Sequence, residues 1–319
     1  MKKTFLLIFF VLFTLISCQQ DVIFYDIAQE IELDDPTISG KVVSMDKANQ
    51  VLYAANGQLN KKGFEGKRWS KVSGSPKSVE VVVYADSYLY VGSLVSSEEK
   101  TSLTIFAHEL ESDGSLKSSS DWKEIDTGVS YLFSNKSTEN PVVYYTKGTE
   151  VFKLSGAESS NLQTVNLLTG ETAKACVRIG DKDIFLENAN CTAKNGYIFV
   201  ANGKNLKSAT LPVSEETEIT WKEGESANSE ITSMFLDGSN LYVGTKSGVQ
   251  VTTLGEDGTY TTFSNLQNNA ETSFGDREIL GLWKYDNADN FFVSVTAGQT
   301  SIYDALWGYN SSSQKWNLE

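Results

Sequence analysis

The sequence predicts an all-β protein: a β-propeller of six four-stranded blades, with seven blades as the alternative. Three observations predict this fold. A short apolar-aromatic segment recurs along the chain with a mean spacing of about 48 residues, within the range expected for propeller blades. Polar turns separate this segment from neighbouring strand-like segments. The 319 residues include 24 Gly, 16 Phe, 14 Tyr and 6 Trp, a composition that suits many short strands and tight turns.

Each repeat carries at least one aromatic residue in the second of its four predicted strands, and we take one from each repeat for reference. We name these residues the aromatic anchors: Tyr53, Tyr90, Tyr144, Phe199, Tyr242 and Phe292. An apolar strand precedes the anchor, as at 79–83 and 231–235, and two further strands follow, as at 249–254 and 260–263. A single four-stranded sheet leaves its faces uncovered, and radial stacking of such sheets covers them.

Two stretches depart from the regular repeat. Residues 171–228 are long for one blade and contain an additional predicted hairpin, formed by 175–179 and 184–186, which keeps the seven-blade alternative open. The second unit carries a predicted insertion, 93–100, between its second and third strands.

The last unit already contains four predicted strands, at 279–284, 291–295, 302–307 and 314–318. A strand from the N-terminal segment 22–33 would then be surplus. Closure of the propeller is therefore expected to rest on face packing of the last blade against the first, with apolar area from Trp283, Trp307 and Trp316.

The hairpin that ends the chain has a recognisable pattern. Tyr309 and Asn310, followed by Trp316, resemble the third-to-fourth-strand hairpin of kelch-type blades, although the doubled Gly of those blades is absent. The fifth unit resembles the short blades of sensor-type bacterial propellers. These resemblances imply a propeller over 40–319.

The N-terminal residues are predicted to form a targeting signal rather than part of the folded domain. Residues 1–17 combine a basic start, an apolar run and a small residue before Cys18, which is typical of a secretory signal. Leu15-Ile16-Ser17-Cys18 resembles the lipobox of bacterial lipoproteins. The resemblance implies that Cys18 becomes the acylated first residue, whereas an ordinary secretory signal is the alternative. The predicted domains are a signal peptide at 1–17, a lipidated tether at 18–39 and a propeller at 40–319.

Charge and the residue after Cys18 bear on location and partners. Loss of 1–17 removes Lys2 and Lys3 and takes the formal charge from −14 to −16. So acidic a chain is not expected to bind nucleic acid. Its expected partner is the membrane, which it would bind through its acyl chains rather than through attraction to anionic lipid head groups. By analogy with enteric lipoproteins, Gln19 favours the outer membrane of the cell envelope.

Two further cysteines, Cys176 and Cys191, lie in the long unit. The cell envelope can be oxidising, so a disulfide is permitted. It would close a loop of about 15 residues and stabilise the fold by roughly 3 kcal/mol. Two buried thiols are the alternative.

The residues that usually carry catalysis are scarce. His108 is the single His, which excludes a metal site with two His ligands, and its alternating surroundings indicate a strand side chain. No cofactor and no metal are expected, and the oxygen-rich run 286–290 is interpreted as a solvated turn. Sialidase propellers use three Arg, but Arg68, Arg178 and Arg277 lack the accompanying motifs of that family.

The preferred hypothesis is a non-catalytic binding or scaffolding lipoprotein that engages a protein or glycan through one propeller face. The alternatives are an envelope hydrolase acting on carbohydrate or peptide, and a component of outer-membrane assembly. Clustered acids with a perturbed pKa would favour the hydrolase, and an apolar patch would favour a protein partner. Trp69, Trp221 and Trp316 occupy equivalent strand positions, which favours packing between blades over a sugar-binding surface.

Overall fold

The computed structural model describes residues 38–66, 68–96, 101–134, 142–148, 150–162, 164–166, 177–179, 182–185, 191–194, 197–210, 221–255, 258–266, 277–285, 291–297, 304–310 and 315–319. Side chains are described there except at 162–198, 210, 310 and 315. Every regular element in these ranges is a β-strand. The described residues contain no helix long and apolar enough to cross a bilayer.

The strands form sheets whose members follow one another along the chain. Sheet 1 contains β1 (Ser44–Ala48), β2 (Val51–Ala55), β3 (Leu59–Gly63) and β4 (Ser70–Lys71); sheet 2 contains β5 (Val79–Ala85), β6 (Tyr88–Ser96), β7 (Thr101–Glu109) and β8 (Lys123–Val129). Sheet 3 contains β9 (Tyr131–Ser134), β10 (Val143–Lys147), β11 (Glu150–Ser155) and β12 (Glu158–Leu162); sheet 4 contains β13 (Thr164–Asn166), β14 (Val177–Ile179) and β15 (Lys182–Phe185).

The remaining sheets repeat this sequential order. Sheet 5 contains β16 (Cys191–Lys194), β17 (Tyr197–Asn202), β18 (Asn205–Thr210) and β19 (Lys222–Glu223); sheet 6 contains β20 (Ile231–Asp237), β21 (Asn240–Thr245), β22 (Gly248–Thr253) and β23 (Ser264–Asn265). Sheet 7 contains β24 (Ile279–Lys284), β25 (Phe291–Val295), β26 (Ala305–Asn310) and β27 (Lys315–Leu318).

The prediction of an all-β chain of four-stranded antiparallel sheets is confirmed for six sheets. Sheet 4, with three described strands, occupies the long unit, and its β14–β15 hairpin coincides with the additional hairpin expected there. The number of blades stays a prediction. Ile38 is already buried with the first sheet, and the predicted domain boundaries also stay predictions.

All six aromatic anchors lie in the second strand of their sheet, as predicted. Details around them differ. The predicted insertion at 93–100 is in part strand, because Ser93–Ser96 continues β6 and pairs with Thr101–Thr104 of β7. The fourth strands β19 and β23 begin directly after the predicted segments, and β26 begins at Ala305 rather than 302.

The first strands of sheets 2, 6 and 7 share a bulge near their beginning. The pairing register shifts between Val79 and Val81, between Ile231 and Ser233, and between Ile279 and Gly281. The extra residues are Glu80, Thr232 and Leu280. A bulge interrupts the strict alternation of a strand and redirects a side chain. In each case the residue before the bulged one is a buried Val or Ile.

Clusters of buried apolar side chains join consecutive sheets, and they include the aromatic anchors Tyr53, Tyr90, Phe199 and Phe292. Tyr53 contributes to the cluster between sheets 1 and 2, Tyr90 and Tyr145 to the cluster between sheets 2 and 3, and Phe199 to the cluster between sheets 5 and 6. Sheets 6 and 7 meet where the Phe291 ring lies 5.3 Å from that of Tyr242, edge to face. The core of the protein is thus a series of layers between sheets.

Sheets 1 and 7 also pack against each other, and we call this contact the seam. Its buried residues are Ile38, Val42, Met45, Leu52, Ala54, Trp69, Phe292 and Leu306, with Trp283 packed beside them. The packing of first against last sheet agrees with the expectation for closure. Trp316, by contrast, lies 5.4 Å from Phe291 of its own sheet.

A buried ion pair completes the seam. Lys62 of β3 is only 5% exposed and pairs with the Glu319 carboxylate, which is 16% exposed. Trp69 donates from Nε1 to the same Glu319 oxygen at 3.2 Å. The Glu319 backbone accepts from Ile38 N at 3.3 Å and donates to Leu306 O at 3.0 Å. The charge of Lys62 is therefore compensated at a place where little water reaches it.

A hydroxyl from one sheet binds a glycine carbonyl on the next sheet at three places. Tyr53 donates to Gly114 O at 2.9 Å, and Tyr90 donates to Gly156 O at 2.8 Å. Between sheets 5 and 6 the anchor is Phe199, which has no hydroxyl. Ser208, the residue paired opposite Phe199, instead donates to Gly258 O at 3.2 Å.

The first of these glycines could not be replaced. Gly114 has a φ of 89°, and a Cβ at this position would lie 1.8 Å from Ala48 O. The close approach of the two backbones therefore requires glycine.

Candidate functional site

Acylation or a disulfide is predicted at three cysteines. Cys18 and Cys176 lie outside the described residues. Cys191 belongs to β16, where its backbone pairs with Val200, and its side chain is not described. Acylation and the disulfide stay predictions. The oxygen-rich run 286–290 also lies outside the described residues.

His108 is a buried strand side chain in β7. It is 6% exposed, its Nδ1 lies 2.7 Å from Glu109 O, and its ring meets Trp122 edge to face at 5.0 Å. Its partners are thus a backbone carbonyl and an indole. These contacts agree with the structural interpretation of the single His.

The described arginines are in different environments. Arg68 is exposed just before β4, whereas Arg277 is 4% exposed and donates from Nε to Thr296 O at 2.7 Å. The side chain of Arg178 is not described. Arg277 therefore binds a backbone carbonyl that directly follows β25 of sheet 7.

The first strands of four sheets are linked side by side in the order β20, β24, β1, β5, and we call them the first-strand surface. Thr232 donates to Ile279 O at 2.6 Å, and Tyr285 donates to Met45 O at 2.8 Å. Ser44 Oγ donates to Val82 O at 3.2 Å and accepts from Val82 N at 3.1 Å. Side-chain hydrogen bonds thus hold strands of different sheets in a common arrangement.

Three half-buried aromatic residues lie near the last residues of these strands, and we call them the turn-end aromatics. They are Tyr84 of β5, Phe235 of β20 and Trp283 of β24. Tyr84 and Trp283 border apolar clusters, and the Phe235 ring lies 6.5 Å from Tyr242. Each is fixed by packing and keeps part of its surface open, as expected of residues that contact a partner. The sequence marked Trp283 for packing between the last and first blades and gave no signal for Tyr84 or Phe235, because nothing local distinguishes a half-buried aromatic residue from a buried one.

The charged groups of the first-strand surface are mostly engaged in structural bonds. Asp46 accepts from Lys47 N and from Tyr84 N, both at 2.8 Å. Asp237 and Lys284 form an ion pair between β20 and β24. Glu80 is the exception, because its bulge places it half-buried and burial raises its pKa. The described residues hold no cluster of three or more metal-ligating side chains.

A second charged group joins sheets 2 and 3. Asp126 accepts from Tyr145 OH and from Lys147 Nζ, both at 2.8 Å. Burial alone would raise the pKa of Asp126, but the hydrogen bonds from Lys147 and Tyr145 outweigh it and hold the pKa below its usual value. Burial raises the pKa of Tyr145 to about 12, so this phenol stays a donor.

Comparison with known proteins relates the chain to lipoproteins. A family described as the TP013X lipoprotein family matches residues 5–276. An uncharacterized lipoprotein of Treponema pallidum (strain Nichols) is 25% identical over 317 residues, which covers 94% of this chain and 69% of the relative. Among solved structures, Sqt1 from Chaetomium thermophilum is similar at 10% identity over 87% of this chain and 84% of that chain, with a TM-score of 0.53. The structural likeness concerns the fold alone.

Proposed function

The chain belongs to the TP013X lipoprotein family, and on that premise we propose that it is a non-catalytic binding or scaffolding protein of the cell envelope, held by acyl chains on Cys18. Membership implies a lipid-anchored envelope protein. The acylated residue, the outer membrane as its site and the binding role are parts of the proposal.

The proposal includes the arrangement of the sheets as blades of one propeller, with sheet 4 as the seventh blade. Its support is the double packing of sheet 1, which shares one apolar cluster with sheet 2 and another with sheet 7. A first and a last unit that cover each other's faces are what a closed series of blades requires.

The turn-end aromatics carry the binding role. Aromatic rings stack on sugars and contribute strongly to protein interfaces. Tyr84, Phe235 and Trp283 come from three different sheets, are half-buried, and stand on strands that hydrogen bonds hold in place. Aromatic side chains that are already fixed by packing lose little conformational entropy when a partner binds.

Photo-crosslinking tests the binding role. Benzoylphenylalanine at Phe235 or at Tyr84 should give a defined adduct in native membranes. Leu280 is the matched control, since it is also half-buried on a first strand but lies at the other end of β24. Sensitivity of the adduct to protease or to glycan-cleaving enzymes identifies the partner class. Equal adducts at Leu280 and Phe235, or none at Phe235 and Tyr84, would refute this binding surface.

The anchor has its own test. Cys18→Ser should abolish uptake of labelled fatty acid and release the protein from membranes, and the wild-type chain should sediment with an outer-membrane marker in a density gradient. If the wild type takes up no fatty acid while the variant still fractionates with membranes, the anchor assignment is wrong.

A second candidate function rests on Glu80. A half-buried carboxyl with a raised pKa can act as a general acid, so an envelope hydrolase is the alternative. The binding role predicts no turnover of envelope glycans or peptides by the wild type. Turnover that Glu80→Gln abolishes, with unchanged folding, would favour the hydrolase.

A further inference from the structure

Positive charge is concentrated in the first sheet. Residues 38–77 contain eight Lys and Arg but two Asp and Glu, whereas the whole chain has a formal charge of −14. Charges more than about 10 Å apart are largely screened at moderate salt, so a local basic surface acts independently of the net charge.

Three exposed lysines lie at the end of sheet 1 where its first strand begins, and we call them the leading-end lysines. Lys41 precedes β1, Lys71 ends β4, and Lys77 lies in the link to β5. Sheet pairing and hydrogen bonds place them at this end, because Lys71 pairs opposite Asn60 of β3 and Asn60 donates to Asn56 Oδ1 at 2.8 Å.

Two more hydrogen bonds bring the flanking segments to the same end. Asn56 donates to Ser39 O, next to the segment that carries Lys41. Gly57 N donates to Val79 O at 3.0 Å, two residues after Lys77. Glu65, the exposed acid of this stretch, follows β3 at the opposite end.

The leading-end lysines differ from other lysines of the protein. The ion pairs within 4 Å among the described residues include six lysines: Lys62, Lys117, Lys147, Lys207, Lys246 and Lys284. Lys246 is a close comparison, because it lies at the corresponding end of sheet 6 and its Nζ is 2.5 Å from Glu230. None of the ion pairs of the described residues includes Lys41, Lys71 or Lys77.

The chain reaches the leading end of sheet 1 directly from its N-terminal tether. Ile38 is packed in the seam, and nineteen residues lie between it and Cys18. That tether spans at most about 70 Å when extended, and less when coiled. The leading end of sheet 1 is thus the part of the described structure closest along the chain to the proposed anchor.

We propose that the leading-end lysines dock on the anionic phospholipid head groups of the membrane that carries the acyl anchor. Each lysine near such a surface contributes about fivefold in membrane affinity, so three contribute on the order of a hundredfold. First strands begin at this end and finish at the turn-end aromatics, so docking leaves the aromatics on the side away from the lipid. The tether argument rests on the proposed acylation of Cys18, whereas the docking is tested without it.

Hydrogen exchange on vesicles tests the docking. The full chain is incubated with excess vesicles of phosphatidylcholine alone or with roughly one-third phosphatidylglycerol, a typical anionic surface. Amide exchange at 73–77 should slow on the anionic vesicles only. The protection should disappear at about 1 M salt, where the Debye length falls to about 3 Å. Equal exchange on the two vesicle types overturns the proposal, whether or not the chain is acylated.

Charge reversal supplies the matched comparison. K41E/K71E/K77E should lose the protection at 73–77, whereas K123E/K153E/K222E, which changes the same charge on sheets 2, 3 and 5 away from this end, should keep it. Thermal melts of both variants establish that they are folded. Protection in native membranes without protection on anionic vesicles would identify an acidic protein as the partner and overturn the lipid proposal.

Discussion

The ion pair at the seam gives a prediction whose size follows from burial. In Glu319→Ala, Lys62 loses its carboxylate while it remains only 5% exposed. Removing one partner of a buried ion pair lowers the free energy of unfolding by about 3–5 kcal/mol, because the remaining charge is buried without a counter-ion. Trp69 also loses its hydrogen-bond acceptor, worth roughly 1 kcal/mol. Since Glu319 is 16% exposed and water can enter, we expect a loss of about 3 kcal/mol.

Thermal and urea unfolding of the full chain, followed by tryptophan fluorescence, measure this loss. About 3 kcal/mol corresponds to a melting temperature lowered by roughly 5 °C in a protein of this size. Glu225→Ala is the control, since Glu225 is exposed and removes the same charge. Adding Lys62→Met to Glu319→Ala should recover much of the stability, because no charge is then stranded. A loss in Glu319→Ala no larger than in Glu225→Ala would refute the role of the pair.

Three further predictions concern other parts of the fold. Deleting 19–35 should leave a folded protein by circular dichroism, whereas deleting 300–319 should unfold it, because the second deletion removes β26, β27 and, at the seam, Leu306 and Glu319; the opposite pattern would contradict the closure scheme. Tyr90→Phe should lower the unfolding free energy by about 1 kcal/mol, since Gly156 O loses its donor; an unchanged urea midpoint would contradict this. Because the pKa of Asp126 is lowered in the folded protein, its contribution is present at neutral pH and is lost as the pH falls below about 4. Asp126→Asn should therefore flatten the acid side of the stability profile, and an unchanged profile would count against the network.

Local signals explain what the sequence predicted well. The aromatic anchors lie between turns in short alternating segments, and alternation and turn residues are properties of a few neighbouring positions. All six anchors were consequently assigned to the correct strand. The fourth strands β19 and β23 begin later than predicted because they are only two residues long, and such short edge strands owe their position to pairing rather than to their own sequence.

The features that needed spatial information were missed. Glu319 is one of 41 acids, and 257 residues separate it from Lys62. No pattern marks that pair. The bulges are visible in the burial pattern of the structure, where Glu80 and Val81 are consecutive half-buried residues of β5. The net charge did not reveal the leading-end lysines, because it sums the charges of all surfaces of the protein, whereas a partner meets only one of them.

The substitution of Ser208 for a tyrosine hydroxyl has a consequence for how the repeats diverge. Sheets 1 and 2 supply their donor from the aromatic anchor, and sheet 5 supplies it from the adjacent strand. The three contacts share a hydrogen bond that a hydroxyl donates to a glycine carbonyl. The hydroxyl can belong to the anchor or to the residue paired opposite it. A compensated exchange, Phe199→Tyr together with Ser208→Ala, should therefore be tolerated better than Ser208→Ala alone. Two neighbouring sheets can in this way differ in sequence and still be joined by the same kind of hydrogen bond.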